Sequence, residues 1–168
     1  MTISMYQASV PVFLQMLGNL RSLLEKGAAY AEARKFDASV LVNARLFPDM
    51  LPLARQIQIA SDTAKGCGAR LAGVEVPKFA DNESSFPELI ERIDKTIAFL
   101  KELQPAQIDG SEARTVVLPM RTGDLSFKGQ QYLLGFALPN FFFHVTTAYN
   151  LLRHNGVEIG KMDYLGRP

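Results

Sequence analysis

The last third of the chain contains one long apolar segment that begins at a proline and ends at a glycine. Residues 139–156 hold three consecutive phenylalanines, several aliphatic residues and two histidines, of which His144 directly follows the phenylalanines. Proline is tolerated in the first turn of a helix, and glycine is favoured just after the end of one. The segment therefore predicts an apolar helix with a histidine in its most apolar part. We expect Phe141, Phe142 and Phe143 to be core residues, since three consecutive aromatics imply burial on most sides.

Length and composition suit one globular domain over residues 1–168, with 48% apolar and 21% charged residues. The formal charge is +1 without runs of like charge, so the electrostatic footprint of a nucleic-acid-binding protein is absent. No apolar stretch reaches the roughly 18 residues that cross a bilayer, and the N-terminus lacks the pattern of a signal peptide. We expect a cytoplasmic protein that binds neither nucleic acid nor membrane.

The spacing of apolar residues by three and four positions predicts four long helices. They are expected at residues 4–26, 50–71, 85–104 and 130–155. The first is expected to end at Gly27, and Pro11 within it predicts either a kink or a later start. The third begins at a capping signature, residues 85–88. The fourth is expected to be kinked or restarted at Pro139.

The second predicted helix has an inward face and an outward face. The apolar residues at three-and-four spacing face inward. Arg55, Gln58, Asp62 and Lys65 are expected to face solvent. Gln56 borders the buried stripe, where its amide must find a hydrogen-bond partner.

A short extended element is expected between the third and fourth helices. Residues 115–120 are apolar and β-branched, residues 121–124 form a turn signal, and residues 125–127 continue beyond it, which predicts a small β-hairpin. Four long helices with a hairpin before the last one favour an all-α four-helix bundle. The core of such a bundle is also the usual place for a ligand or metal site.

The two histidines cannot share one metal ion within a chain. His144 and His154 are ten residues apart on one helix, which places them about 15 Å apart along its axis. Asn140 and His144 are four residues apart and therefore lie on one face. That pair could contribute to a site if other helices supplied partners.

The C-terminal signature resembles a known family. It consists of the Pro-Asn pair at 139–140, the phenylalanine-rich run with His144, the Thr-Thr-Ala-Tyr run at 146–149 and the Leu-Arg-His-Asn-Gly-Val run at 152–157. The pattern resembles the DinB/YfiT-like superfamily of metalloenzymes, and most closely a domain-of-unknown-function family within it. This resemblance implies a four-helix bundle of the up-down-down-up type, often dimeric. It also implies that three histidines bind a divalent metal, one from the second helix and two, four residues apart, from the last.

The resemblance assigns three residues of this chain to that metal site. His144 corresponds to the second histidine of the close pair, Asn140 to the first, and Gln56 to the ligand from the second helix. Carboxamides are poor ligands for zinc, nickel or iron beside imidazole. The three residues are therefore expected to form a hydrogen-bonded polar cluster, a degenerate metal site. If zinc or nickel binds at all, His144 is the residue expected to hold it.

Three functions stay open at this point. The first is a small-molecule-binding or structural bundle without catalytic metal, homodimeric by the resemblance. The alternative is a divalent-metal-dependent enzyme resembling thiol transferases or isomerases, with His144 as ligand or general base and Gln56 and Asn140 orienting substrate or water. The third is an interaction module that displays its hairpin or its C-terminal tail to a partner. The sequence itself names no reaction.

Overall fold

The computed structural model describes residues 3–119 and 123–166 and is mainly helical. Its elements are α1 (Val10–Arg34), α2 (Ser39–Val42), α3 (Leu53–Ala72), α4 (Phe86–Glu102), α5 (Pro105–Ile108), β1 (Thr115–Leu118), β2 (Leu125–Lys128), α6 (Gly129–Tyr132), a π-helical turn (Leu133–Ala137), α7 (Leu138–His154) and α8 (Lys161–Leu165). The long helices α1, α3, α4 and α7 form a four-helix bundle, and β1 and β2 form an antiparallel hairpin before the last of them. This confirms the predicted fold class. Residues 120–122 of the predicted hairpin, the end of its first strand and the start of its turn, lie outside the described residues.

Contacts of α1 give the directions of two helix pairs. Arg21 of α1 hydrogen-bonds to Asp94 of α4, whereas Gly27, farther along α1, faces Phe86 at the start of α4. Helices α1 and α4 are therefore antiparallel. Gly27 also faces Leu152 near the end of α7, so the C-terminal halves of α1 and α7 lie together and these helices are parallel.

The remaining pairs complete the topology. Ser61 of α3 hydrogen-bonds to Thr96 of α4, and Gly68, farther along α3, faces Leu100, farther along α4. Helices α3 and α4 are therefore parallel. Helices α3 and α4 run opposite to α1, whereas α7 runs parallel to α1. The bundle therefore has the up-down-down-up order that the resemblance implies.

The core lies between the four long helices. The rings of Phe13 in α1 and Phe141 in α7 meet edge to face with their centroids 4.9 Å apart. All the apolar side chains that the spacing places on the inward face of α3 are buried: Leu53, Ile57, Ala60, Ala64, Cys67 and Leu71. The described residues include no helix that combines the length and the apolar character needed to cross a bilayer.

Helix α1 begins and ends later than its expected bounds. Its first residue is Val10, with Pro11 in the first turn, so the alternative of a later start is confirmed. The predicted end at Gly27 is wrong, because α1 continues to Arg34 and stops where Lys35 takes a left-handed backbone conformation with φ of 57°. Gly27 is needed for close packing against α4 and α7, not for ending the helix.

The capping signature at the start of α4 is confirmed. The backbone N–H of Glu88 donates to the Ser85 hydroxyl at 3.5 Å, and the Glu88 carboxylate accepts from the backbone N–H of Ser85 at 3.0 Å. This reciprocal pair satisfies two backbone donors that a helix start leaves without partners.

The last long helix is bent by a π-helical turn just before α7. The backbone N–H of Leu138 bonds to the carbonyl of Leu133, five residues earlier. Pro139 has no N–H and cannot close an α-helical bond to Gly135, so the wider turn lies directly before the proline. The expected break at Pro139 therefore takes the form of a π turn. The helix ends before Gly156, whose φ is 93°.

Two residues of α3 expected to face solvent are buried instead. Gln58 is 2% exposed because its amide donates to Glu83 at 2.8 Å, and Lys65 is 5% exposed because its ammonium lies 4.9 Å from the ring centre of Phe79. Glu83 and Phe79 belong to the loop between α3 and α4. This loop folds over the face of α3 that the sequence pattern assigns to water.

The expectation that three consecutive phenylalanines are core residues is wrong for one of them. Phe141 is fully buried and Phe142 is half-buried, but Phe143 is 57% exposed. Successive residues point about 100° apart around a helix, so three in a row cover more of its circumference than one packed face can bury.

Candidate functional site

The side chains of Gln56 and His144 meet between α3 and α7. The Oε1 atom of Gln56 lies 2.7 Å from Nδ1 of His144, and both residues are buried. Gln56 belongs to the first turn of α3 and His144 to the second turn of α7. The antiparallel packing of these helices therefore brings together residues that are 88 positions apart in the chain.

A second hydrogen bond fixes the orientation of the Gln56 amide. Its Nε2 donates to the backbone carbonyl of Leu51 at 2.9 Å, so Oε1 is the atom that faces the imidazole. A carbonyl oxygen can only accept, and Nδ1 of His144 must therefore carry the hydrogen. In the neutral ring the lone pair then lies on Nε2.

Burial favours this neutral ring. It lowers the pKa of His144 below the ordinary value of 6.5, because the charged imidazolium would lose hydration. Among the described residues, Nε2 has no hydrogen-bond partner. It is also not one of their fully buried unpartnered atoms, so it keeps some contact with solvent. His144 thus presents a neutral, uncommitted acceptor.

Asn140 has a different partner from the other two predicted site residues. Its Nδ2 donates to Oγ1 of Thr63 at 2.8 Å, and within residues 3–119 and 123–166 it makes no hydrogen bond to Gln56 or His144. The structure thus joins two of the three residues directly and gives the third a separate contact on α3. The sequence analysis missed Thr63, although it lies two helical turns after Gln56 and therefore on the same face.

The donor atoms here do not suit the metal that the resemblance implies. Nδ1 of His144 bonds to Oε1 of Gln56, which leaves Nε2 of His144 and the carboxamide oxygen of Asn140 as the uncommitted ligand atoms of the cluster. A catalytic zinc site needs about three protein ligands. In the described part of the chain, no group of three or more His, Cys, Asp or Glu side chains is placed to hold an ion.

Two exposed apolar residues contact the Gln56–His144 pair, one through its ring and one through its backbone carbonyl. Phe143 is 57% exposed, and its ring stands edge-on to the imidazole with the centroids 5.2 Å apart. Leu51 is 41% exposed, and its carbonyl holds the Gln56 amide. We call Leu51 and Phe143 the apolar rim. Exposed apolar groups beside a polar acceptor are typical of small-molecule sites.

A second polar cluster, which the sequence analysis missed, surrounds Arg92 of α4. The side chain is 1% exposed. Its guanidinium donates to Ser61 at 3.1 Å, to Asp62 at 2.6 Å, to Glu83 at 2.9 Å and to the carbonyl of Ala80 at 3.0 Å. Burial acts to lower the pKa of Arg92, but the Glu83 hydrogen bond and the neighbouring carboxylates outweigh burial and raise it. This charged residue therefore ties the loop before α4 to both α3 and α4.

Comparison with known proteins identifies a family and a solved structure that match nearly the whole chain. A family model described as a domain of unknown function, DUF1993, matches residues 5–165. A crystal structure of a DinB family member protein from Shewanella denitrificans is 41% identical to this chain, with a TM-score of 0.89, and the match covers 97% of this chain and 92% of that one. No curated protein matches. The family match includes all four long helices and both polar clusters.

Proposed function

Since the chain belongs to the DUF1993 family and has the fold of a DinB family member, we propose that it is a small-molecule-binding bundle with a degenerate metal site. The proposed site consists of the Gln56–His144 pair, with Asn140 as a neighbouring polar residue. Its ligand would donate a hydrogen bond to Nε2 of His144 and place an apolar part against the apolar rim.

The observation that carries this proposal is the hydrogen-bond chain from Leu51 through Gln56 to His144. It supports one tautomer and one ring orientation, with Nε2 available as an acceptor. Such an acceptor binds O–H or N–H groups and needs no ion. The ligand class that fits best is therefore a small aromatic or aliphatic molecule with one hydroxyl or N–H donor.

The alternative function, a divalent-metal-dependent enzyme resembling thiol transferases or isomerases, is less well supported. Zinc or nickel held by this cluster would need ligands besides Nε2 of His144, and the nearest candidates, Gln56 and Asn140, offer only carboxamides. A carboxamide binds a metal through its oxygen. Oε1 of Gln56 already accepts from His144, which leaves, among the described residues, Oδ1 of Asn140 as the one uncommitted carboxamide oxygen of the cluster. These bonds favour a structural and ligand-orienting role for Gln56.

A pair of matched probes tests the proposed ligand class. Phenol and anisole have similar rings, but only phenol can donate a hydrogen bond. Phenol is expected to shift the Nε2 resonance of His144 in ¹⁵N NMR and to bind at least several-fold more tightly than anisole. The His144→Phe variant should lose this preference, whereas the His154→Phe variant should keep it. Equal affinity for the two probes, or no binding of either, would contradict the proposal.

Metal analysis tests the degenerate-site part of the proposal separately. Protein purified without an affinity tag or chelator is expected to contain far less than one zinc or nickel ion per chain. A stoichiometric ion that is lost in the His144→Ala variant would overturn this part. The homodimer implied by the family resemblance and the cytoplasmic location stay predictions; light scattering, which gives the mass of the assembly, tests the homodimer.

A further inference from the structure

A surface pocket of about 360 Å³ lies between α4 and the loop that connects α3 to α4. This volume is in the range of sites for small metabolites. None of its lining residues belongs to the Gln56–His144 pair or to the apolar rim, so it is a separate feature of the molecule. Nothing in the proposed function uses it.

The floor of the pocket is held in place by Arg92. The guanidinium binds Asp62 of α3, Glu83 of the loop and the loop carbonyl of Ala80, so the loop wall is tied to the helices. All three guanidinium nitrogens of Arg92 have partners within the protein. Arg92 therefore shapes the pocket in advance and is not itself free to bind a ligand.

The loop wall carries two uncommitted polar side chains. Lys78 and Asn82 line the pocket and are exposed. Within the described residues, neither side chain has a hydrogen bond or an ion pair. An ammonium and a carboxamide N–H₂ are both donors, and together they suit a carboxylate.

The helix wall carries carboxylates with spare acceptor capacity. Glu88 uses Oε2 for the backbone N–H groups of Ser84 and Ser85, and Glu91 uses Oε1 for an ion pair with Lys95 at 2.7 Å. Each carboxylate keeps one oxygen without a described partner. The backbone hydrogen bond from Ser84 lowers the pKa of Glu88, so this group stays ionised at neutral pH.

The two walls therefore differ in the charge they can bind. Among the charged side chains of the lining, Arg92 pairs with Glu83 and Lys95 pairs with Glu91. The uncommitted groups are therefore donors on the loop wall and carboxylate oxygens on the helix wall. We propose that the pocket binds a small zwitterion of the α-amino acid class. Its carboxylate contacts Lys78 and Asn82, and its ammonium contacts Glu88 and Glu91.

Titration calorimetry with glycine, L-leucine, L-phenylalanine, L-glutamate and L-lysine tests this inference. At least one of these is expected to bind, and its N-acetyl and carboxamide derivatives are each expected to bind about two- to fivefold more weakly, as for loss of one exposed charge contact. Absence of binding for all five amino acids would overturn the proposal. So would derivatives that bind as well as the parent.

Two variants locate the bound molecule in this pocket. Lys78→Gln is expected to weaken binding of the parent amino acid by about two- to fivefold but to leave binding of its carboxamide unaffected, because that derivative already lacks the contacting charge. Glu91→Gln should act in the same way on the parent and spare the N-acetyl derivative. Lys101→Gln, on an exposed position of α4 outside the pocket, is the matched control. Equal effects of the three substitutions would place the ligand elsewhere and refute the inference.

Discussion

Nδ1 of His144 and Oε1 of Gln56 are 2.7 Å apart, joining α7 to α3 through one buried hydrogen bond. Because Gln56 also donates to the carbonyl of Leu51, neither partner can rotate without losing a bond. A family resemblance based on residue type alone assigns these positions to metal ligands. The observed geometry favours a different use, in which the carboxamide orients the imidazole and leaves Nε2 for a ligand.

Removing the carboxamide should destabilise the fold. In Gln56→Leu, the Nδ1–H of His144 would be left buried without an acceptor, and the free energy of unfolding is expected to fall by about 1–3 kcal/mol. Urea denaturation measures this change. Gln131→Leu, at an exposed position of α6 without a described side-chain hydrogen bond, should change stability by less than about 0.5 kcal/mol. Equal stability of the two variants would mean that the buried hydrogen bond contributes nothing.

The lowered pKa of His144 predicts a specific pH dependence. In the unfolded chain the imidazole binds a proton near its ordinary pKa of 6.5, whereas burial lowers the pKa in the folded protein. Between these two pKa values the unfolded state binds more protons. The free energy of unfolding should therefore fall as the pH drops below about 6.5 and through the folded pKa. Well above about pH 6.5, this group should add no pH dependence to the free energy of unfolding.

Substitution of each histidine in turn isolates this effect. Between about pH 7.5 and about pH 5, the wild-type protein should lose more stability than His144→Gln, and His154→Gln should behave like the wild type. The lowered pKa values of Asp81 and Glu88 affect stability at lower pH, outside this window. A His144→Gln variant with the wild-type pH slope would show that this histidine is not the group responsible.

Among the charged residues of the bundle, Arg92 is the one whose substitution is expected to reduce stability most. Arg92→Leu would leave Glu83 without its cation and Ser61 without a donor, and Asp62 would keep only Lys65. The expected loss is about 2–4 kcal/mol, somewhat below the roughly 3–5 kcal/mol for broken buried pairs, because Asp62 is 41% exposed. Faster hydrogen exchange in residues 74–85 should accompany it. Arg153→Leu, exposed in the last turn of α7, is the control and should lose neither stability nor protection in that loop.

Alanine substitution at two glycines of α1 should change the stability of the protein in opposite directions. A Cβ at Gly27 would lie 3.0 Å from side-chain atoms of both Leu152 and Phe86, so Gly27→Ala should destabilise the protein by about 1–3 kcal/mol. A Cβ at Gly18 would meet nothing within 4 Å, and Gly18→Ala should stabilise α1 by about 0.5–1 kcal/mol through helix propensity. Thermal unfolding of the two variants checks the signs. A neutral or stabilising Gly27→Ala would remove the close-packing account of this position.

Much of the fold could be predicted because its determinants are local. The apolar spacing in α3, the reciprocal pair of Ser85 and Glu88, and the glycine after α7 each act within a few residues. The burial of Gln56 next to an apolar stripe follows from the same spacing. Periodicity alone cannot identify the partner of its amide, because Leu51 precedes the helix and His144 comes from another one.

The errors have a common physical origin in contacts between distant segments. Gln58 and Lys65 look solvent-facing by spacing, yet a loop that follows α3 covers them through Glu83 and Phe79. Arg92 was overlooked although it lies three residues after Leu89 on the buried stripe of α4. A guanidinium on such a stripe is stable only when carboxylates from elsewhere in the chain reach it, which no local pattern reveals.

The tautomer of His144 tests the central claim most directly. Long-range ¹H–¹⁵N NMR distinguishes the two ring nitrogens of each histidine, and assignment is simple because the chain has two. At about pH 7.5 the account predicts a neutral His144 with the hydrogen on Nδ1 and an acceptor-type shift for Nε2. A ring with the hydrogen on Nε2, or one charged at this pH, would contradict the account, because neither leaves Nε2 free to accept a ligand.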